Sequence, residues 1–122
     1  MSYAYSRCSN LTGSPVCGPN VTNMCGAYIL CYNLARNAYF YSSNVQNLWR
    51  CFVGLNDSHK FNIYAPANST TITTLLDANT LLTGSSAMWD NDIANNCYYN
   101  TEYNIYIYPV ANVAEARAAN GD

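Results

Sequence analysis

The residues best suited to bind a metal ion are two aspartates, Asp90 and Asp92, with Asn95 and Asn96 shortly after them. Carboxylate and amide oxygens are the ligands that Ca²⁺ prefers, and it takes about six to eight of them. The spacing departs from the calcium loop of EF-hand proteins, because Ala94 stands at the third ligand position and the required glycine is missing. Calcium is therefore the one cofactor that the sequence suggests, with a polar surface loop as the alternative.

Three residue types of a hydrolytic triad stand side by side at Asp57, Ser58 and His59. A triad is assembled by side chains that face one another in space, which three consecutive residues do not do. The G-x-S-x-G motif that surrounds the nucleophile of α/β-hydrolases is missing as well. The sequence therefore predicts no catalytic residues and no enzymatic activity, and we interpret this tripeptide as a polar turn.

The chain contains six cysteines, four of them within the first 31 residues. No two of them have the C-x-x-C spacing of zinc and redox sites, and the single histidine cannot complete a zinc site with a second one. An even number of cysteines predicts disulfides and an oxidising compartment, with buried free thiols as the alternative. The disulfide candidates, whose pairing the spacing leaves open, are Cys8, Cys17, Cys25, Cys31, Cys51 and Cys97.

Aromatic residues close to the two aspartates suggest a different kind of site. Flat rings bury the apolar faces of sugars, while asparagine amides bind hydroxyl groups. The candidates for such a sugar-binding platform are Trp89, Tyr98 and Tyr99. The alternative is that these rings belong to the core or to an interface, and Trp49, in an apolar stretch, is assigned to the core.

Charged residues make up 10% of the chain, against about 25% in a typical soluble domain. Polar character comes instead from 18 asparagines and 12 tyrosines. Burying these groups in a contact removes no full charge from water, which favours a subunit covered by its neighbours over an ordinary secreted domain. The net charge is −2 and the cations are scattered. Nucleic-acid binding needs a positive patch, so no nucleic-acid partner is predicted.

The local patterns predict a mainly β protein, a small antiparallel β-sandwich or jelly-roll-like domain. We expect residues 1–25 to form an irregular, cysteine-rich N-terminal arm, residues 26–110 the β-rich body, and residues 111–122 a short C-terminal helix or tail. No internal repeat is apparent. The predicted strands are Ala27–Tyr32, Ala38–Tyr41, Leu48–Val53, Phe61–Tyr64, Ser69–Leu76, Thr80–Thr83 and Tyr98–Val110. The first three lie in a stretch that also fits a helix.

Together these features predict a structural subunit of an extracellular assembly: a virion coat or minor capsid protein, a filament, or a spore-surface appendage. Such a subunit would contact copies of itself or other structural subunits, with covalent links through Cys8 or Cys17. The alternative is a secreted, lectin-like carbohydrate-binding module assisted by calcium. Residues 1–7 lack the basic and apolar regions of a signal peptide. No apolar run reaches the roughly 20 residues of a membrane span, and the cysteines place the protein outside the cell or on a particle surface.

Overall fold

A computed structural model of the 122-residue chain describes residues 12–28, 31, 34–52, 60–77, 89–100 and 104–122. These residues contain six strands and two helices. The strands are β1 (Val16–Cys17), β2 (Asn37–Phe40), β3 (Phe61–Pro66), β4 (Asp90–Asp92), β5 (Cys97–Asn100) and β6 (Ile105–Val110). The helices are α1 (Thr70–Asp77) and α2 (Val113–Ala119).

The six strands form one mixed sheet in the order β1-β2-β3-β6-β5-β4. Strands β1, β2, β3 and β6 are parallel, whereas β5 runs antiparallel to β6 and β4 antiparallel to β5. Parallel neighbours need a crossover connection, and the connection from β3 to β6 contains α1 and the β4–β5 hairpin. The mainly β class is confirmed. The antiparallel sandwich is not, because the described strands form a single sheet with four parallel members.

Alternation along the strands gives the sheet two different faces. In β3 the side chains of Phe61, Ile63 and Ala65 are buried, while those between them are partly exposed. Strand β6 repeats this pattern with Ile105 and Ile107. We call the side that carries these apolar residues the inner face, and helix α1 contributes Ile72 and Leu75 to the same core cluster.

An aromatic cluster fills the core beneath the inner face. The ring of Phe52 lies 5.6 Å from that of Tyr28, 6.3 Å from that of Phe40 and 5.1 Å from that of Phe61, measured between centroids. The Tyr28 and Phe52 rings are stacked, and the other two contacts are tilted. Since these four residues come from four separate segments of the chain, the cluster holds the loops against the sheet.

Two segments of the chain, residues 20–28 and 44–52, repeat one another in sequence and in backbone structure. At an offset of 24 residues the matching pairs are Val21 and Val45, Asn23 and Asn47, Met24 and Leu48, Tyr28 and Phe52. In each copy the asparagine Oδ1 accepts a hydrogen bond from the amide two residues later, at 2.9 Å and 3.0 Å. The expectation that the chain has no internal repeat was therefore wrong. The two segments share an asparagine turn and an apolar pattern, but few of their residues are identical, so the repeat is hard to recognise in the sequence.

The two repeats stack on each other as successive coils, the first coil being residues 16–28 and the second coil residues 39–52. The amides of Met24, Gly26 and Tyr28 donate to carbonyls of the second coil at 2.7, 2.7 and 2.9 Å. These bonds extend the pairing of β1 with β2 beyond the strands themselves. Stacking supersecondary units in this way buries a continuous core between neighbours.

The first turn of α1 forms a third layer on the second coil. The Thr71 hydroxyl donates to the Ser42 carbonyl at 2.7 Å and accepts from the Val45 amide at 3.0 Å. On the opposite side, the Ser42 hydroxyl donates to the Val21 carbonyl of the first coil at 2.6 Å. The buried hydroxyls of Ser42 and Thr71 therefore link the first coil, the second coil and α1 by hydrogen bonds to backbone groups.

Several predicted elements differ from the observed ones. The segment Ser69–Leu76 is helix α1, not a strand, because Ser69 caps the helix and the apolar residues fall on one helical face. Residues 49–52 form a turn, as do residues 25–28, so Leu48–Val53 and Ala27–Tyr32 are not strands in their described parts. The predicted strand Tyr98–Val110 contains the two strands β5 and β6.

The predictions for the two ends of the chain had different outcomes. Residues 12–25 of the predicted arm belong to the body, since β1 pairs with β2 and Met24 is 0% exposed. The C-terminal helix is confirmed as α2, with the Asn112 side chain accepting from the Glu115 amide at 3.1 Å. The segment Thr80–Thr83 lies outside the described residues. Neither helix of the described residues is long and apolar enough to cross a membrane.

Candidate functional site

The outer face of the sheet collects tyrosine and asparagine side chains in two rows that run across the strands. Strand register sets the order within each row. The first row is Tyr39, Tyr64, Tyr108, Cys97 and Asp92, and the second row is Asn37, Asn62, Tyr106, Tyr99 and Asp90. We call this surface the tyrosine face.

The rings of the tyrosine face stack on one another along both rows. Tyr64 lies between Tyr39 and Tyr108, with centroid distances of 5.4 and 5.0 Å. In the second row, Tyr99 and Tyr106 stack at 5.8 Å. Such pairs contribute about 0.5–1.5 kcal/mol beyond the area that they bury. Stacking therefore holds the rings in a fixed, ordered array before any partner arrives.

Charges on the tyrosine face are few and separated. The Lys60 ammonium lies 4.1 Å from the Tyr106 ring centroid and 5.7 Å from that of Tyr108. Its pKa is raised, chiefly by a hydrogen bond with the Tyr108 hydroxyl. Asp90 and Asp92 stand on the edge strand β4, two strands away from Tyr106, which is about 10 Å at the usual strand spacing. The face thus carries a cation towards its middle and two carboxylates at one edge.

Helix α2 and the residues after it cover the β2 end of the tyrosine face. The Tyr39 hydroxyl and the Asn37 amide both donate to the Asp122 carboxylate, and the Asn120 amide donates to the Tyr39 hydroxyl at 3.1 Å. The Arg117 guanidinium lies 5.8 Å from the Tyr39 ring centroid. Burial, helped by Asp122, raises the pKa of Tyr39 to about 12. The tyrosines of β3, β5 and β6 stay half-exposed.

The link from Asp122 to β2 predicts a pH-dependent stability. Hydrogen bonds from Tyr39 and Asn37 lower the pKa of Asp122, so its carboxylate stabilises the fold above the ordinary aspartate pKa, and this contribution disappears as the pH falls through the lowered value. Asp122→Asn should reduce the free energy of unfolding at about pH 7 by at most about 1 kcal/mol, because water screens so exposed a group. Urea unfolding of the native chain and the variant at about pH 7 and about pH 3 measures this difference in the free energy of unfolding.

The control is Asn120→Ala, which removes a neutral side chain from the same contact with Tyr39. We expect the gap in the free energy of unfolding between the native chain and Asp122→Asn to narrow on acidification, and the cost of Asn120→Ala to stay the same. A gap that is the same at both pH values would contradict the assignment.

A cleft of about 830 Å³ lies at the carboxyl ends of β3 and β6, on the other side of the sheet from the tyrosine rows. It runs between the first turn of α1 and the turn of the β4–β5 hairpin. Its polar lining residues are Asn68, Ser69, Thr70, Thr73, Asn91 and Asn96. Tyr98, Ile93 and Pro109 contribute apolar surface. None of the described residues that line the cleft is charged.

The predicted sugar platform is not brought together on one surface. Tyr98 and Tyr99 are neighbours in β5 and point to opposite faces, with Tyr98 against the core and Tyr99 stacked on Tyr106. Trp89 is half-buried and also packs against the core, and its buried indole N–H has no hydrogen-bond partner among the described residues. Of the three candidates, Tyr98 alone reaches the cleft.

The two aspartates proposed as calcium ligands, Asp90 and Asp92, both lie in strand β4. The Asp92 carboxylate accepts hydrogen bonds from the Asn95 amide at 3.2 Å and from its side chain at 2.8 Å, and these bonds lower the Asp92 pKa. Within the described ranges, no group of three or more His, Cys, Asp or Glu residues is placed to hold a metal ion. Calcium binding through Asp90 and Asp92 stays a prediction.

The cysteines differ in their access to solvent. Cys17, Cys25, Cys51 and Cys97 are free thiols. Burial raises the pKa of Cys17 to about 11 and that of Cys51 still further. Cys17 is 1% exposed and so cannot reach a neighbouring chain from the folded state, whereas Cys25 is half-exposed. Cys31 is buried as well, and Cys8 lies outside the described residues, so disulfide formation stays a prediction.

Most residues of the tyrosine face and of the cleft were not identified as site residues from the sequence. The alternation of apolar and polar residues places the side chains of Tyr64, Tyr106 and Tyr108 on the face opposite the apolar residues of their strands. This pattern does not show that β3 and β6 are neighbours in the sheet. The cleft residues Asn68 and Thr70 went unnoticed because their segment was interpreted as a turn and a strand.

The chemistry of both surfaces suits binding. Burial raises the pKa of Cys97, the thiol in the tyrosine rows, so it stays protonated at neutral pH, whereas the nucleophilic form of cysteine is the thiolate. The described lining of the cleft presents amides, hydroxyls and apolar groups, which can donate, accept and pack against a ligand. No protein-family model, curated protein or solved structure matches the chain. Function is therefore inferred from the tyrosine face and the cleft.

Proposed function

We propose that the protein is a structural subunit of an extracellular assembly, a virion coat or minor capsid protein, a filament, or a spore-surface appendage. In this proposal, copies contact one another through the tyrosine face. The observation that supports it is the collection of tyrosine and asparagine side chains in two ordered rows on one side of the sheet. Tyrosine offers a large, rigid contact surface with a hydroxyl that bonds across an interface.

The charges of the face favour a second copy as the partner. Lys60 stands near the middle of the sheet, and Asp90 and Asp92 stand at its edge. A two-fold axis between two such faces brings the cation of each copy towards the carboxylates of the other, which is the self-complementary arrangement of an isologous dimer. Two sheets packed in this way lie about 10 Å apart. The β-sandwich predicted from the sequence would then form between copies.

Covalent locking of the assembly would use Cys25 in preference to Cys17. Cys25 is half-exposed in the first coil, whereas Cys17 is enclosed in the core. An oxidising environment outside the cell would allow such a bond between subunits. In this proposal an N-terminal cysteine still links the subunits covalently, but that cysteine is the accessible Cys25.

A charge exchange tests the proposed contact. Lys60→Asp places acid against acid across the two-fold axis, and the double variant Asp90→Lys and Asp92→Lys places lysine against lysine. Each should raise the dissociation constant of the self-association at least about tenfold. Mixing the two variants in equal amounts restores both attractive contacts and should restore the complex. Light scattering and sedimentation across a concentration series measure each state.

The control for the charge exchange is Asp77→Lys, which alters an exposed aspartate of α1 outside the tyrosine face. It should associate like the native chain, and circular dichroism confirms that all variants are folded. A native chain that stays monomeric throughout the series would refute self-assembly. An oligomer that the exchange leaves intact, or that mixing fails to restore, would refute the tyrosine face as the contact.

A further inference from the structure

The geometry points to the cleft between α1 and the β4–β5 hairpin as a binding site for a neutral saccharide. The cleft and the tyrosine face lie on opposite sides of the sheet, so this inference is independent of the proposed self-association. Its volume of about 830 Å³ falls within the roughly 300–1,000 Å³ that small-molecule sites occupy.

The polar groups of the cleft match the hydroxyl groups of a sugar. The side chains of Asn68, Thr70 and Asn91 are exposed and make no hydrogen bond to any described residue. An asparagine amide offers a donor and an acceptor side by side, and a hydroxyl group can use both. Because Asn68 and Asn91 come from the two opposite walls, a ligand between them is bonded from both sides.

Backbone structure sets the position of one of these asparagines. Asn68 has a φ of 56°, in the left-handed region that asparagine tolerates better than most residues. Its neighbour Ser69 caps α1, with its hydroxyl donating to the Pro66 carbonyl at 2.6 Å. On the other wall, the Asn96 side chain donates to the Pro109 carbonyl at 3.2 Å and ties the hairpin turn to β6. The walls are therefore anchored before a ligand binds.

The charge and apolar content of the cleft select the class of ligand. A charged ligand would lose its hydration without meeting an opposite charge on any of the described lining residues. Beside the amides lie the Tyr98 ring and the Ile93 side chain, which is 83% exposed. A sugar ring has an apolar face as well as hydroxyl groups, so it uses both kinds of surface at once.

Titration of the full chain tests the inference. The probes are a panel of neutral mono- to tetrasaccharides and a sulfated oligosaccharide, followed by heteronuclear NMR and repeated with a calcium chelator. At least one neutral saccharide should shift the amide signals of residues 67–73 and 91–98, with or without chelator, and the sulfated probe should not. No shift with any neutral probe, or shifts confined to the sulfated one, would overturn the inference.

Matched variants separate cleft binding from weak contacts elsewhere. Asn68→Gly removes the amide and keeps the positive φ, and Asn91→Ala removes the amide of the opposite wall. Each should weaken binding by a factor of about five to ten, as expected for one lost hydrogen bond. Asn20→Ala, an exposed asparagine outside the cleft, should bind like the native chain. Equal affinity in all three variants would refute the cleft as the site.

Discussion

Phe52→Ala should lower the free energy of unfolding by about 3–5 kcal/mol, the usual cost of removing a large buried aromatic ring. The ring lies at the centre of the aromatic cluster, in contact with Tyr28, Phe40 and Phe61. Its loss leaves a cavity where the second coil meets both the first coil and β3. The total free energy of unfolding of a domain of this size is about 5–15 kcal/mol. The variant should therefore unfold at a clearly lower urea concentration than the native chain, as followed by circular dichroism.

Trp49→Ala is the matched control for Phe52→Ala. Trp49 lies in the same turn of the second coil but is 39% exposed, so its assignment to the core was wrong. Its removal should cost about 1 kcal/mol or less. If Phe52→Ala does not fold, Phe52→Leu should still fold with a loss of about 1.5 kcal/mol or less. Equal costs for Phe52→Ala and Trp49→Ala would contradict the central place of the aromatic cluster.

Thr71→Val should be the second most damaging change, at about 2–4 kcal/mol. Valine has nearly the shape of threonine, but it leaves the Ser42 carbonyl and the Val45 amide without their hydroxyl partner. An unsatisfied buried polar group costs about 1–3 kcal/mol, and Thr71 is 0% exposed. The loss should also separate α1 from the second coil, which hydrogen exchange of the α1 amides would detect as faster exchange.

Thr70→Val controls for the effect of valine on the helix itself. Thr70 is the exposed residue next to Thr71, so its substitution should change the free energy of unfolding by about 0.5 kcal/mol or less. Thr71→Ser keeps the hydroxyl and should retain most of the stability that Thr71→Val loses. If Thr71→Val is as harmless as Thr70→Val, the layers are not connected through this hydroxyl.

The segment around Thr71 also shows why part of the fold could not be predicted. Consecutive threonines favour a strand by local propensity, and Ser69–Leu76 was interpreted in this way. The helix forms because Ser69 caps it, because Ile72 and Leu75 reach the core, and because Thr71 bonds to the second coil. The last two are tertiary contacts, which override propensity and do not show in a local pattern.

Other elements were predictable because their signals are local. Strict alternation in Phe61–Tyr64 and in the Ile105–Tyr108 part of the last predicted strand fixes which side chains share a face. The C-terminal helix follows from an alanine-rich segment, and Asn112 provides its cap. By contrast, the stacking of Tyr39, Tyr64 and Tyr108 depends on the order β2-β3-β6. That order is set by crossover connections, so the tyrosine face could not be assembled from the sequence alone.

The stacked coils have a consequence for how such a chain can change in length. The first coil bonds to the second through the amides of Met24, Gly26 and Tyr28, and an asparagine turn recurs at the same place in each coil. An added coil with its own asparagine turn could stack in the same register, whereas a shorter insertion within a turn would separate Asn23 from Asn47. A whole coil is therefore the smallest change in length that would preserve the bonds between neighbouring layers.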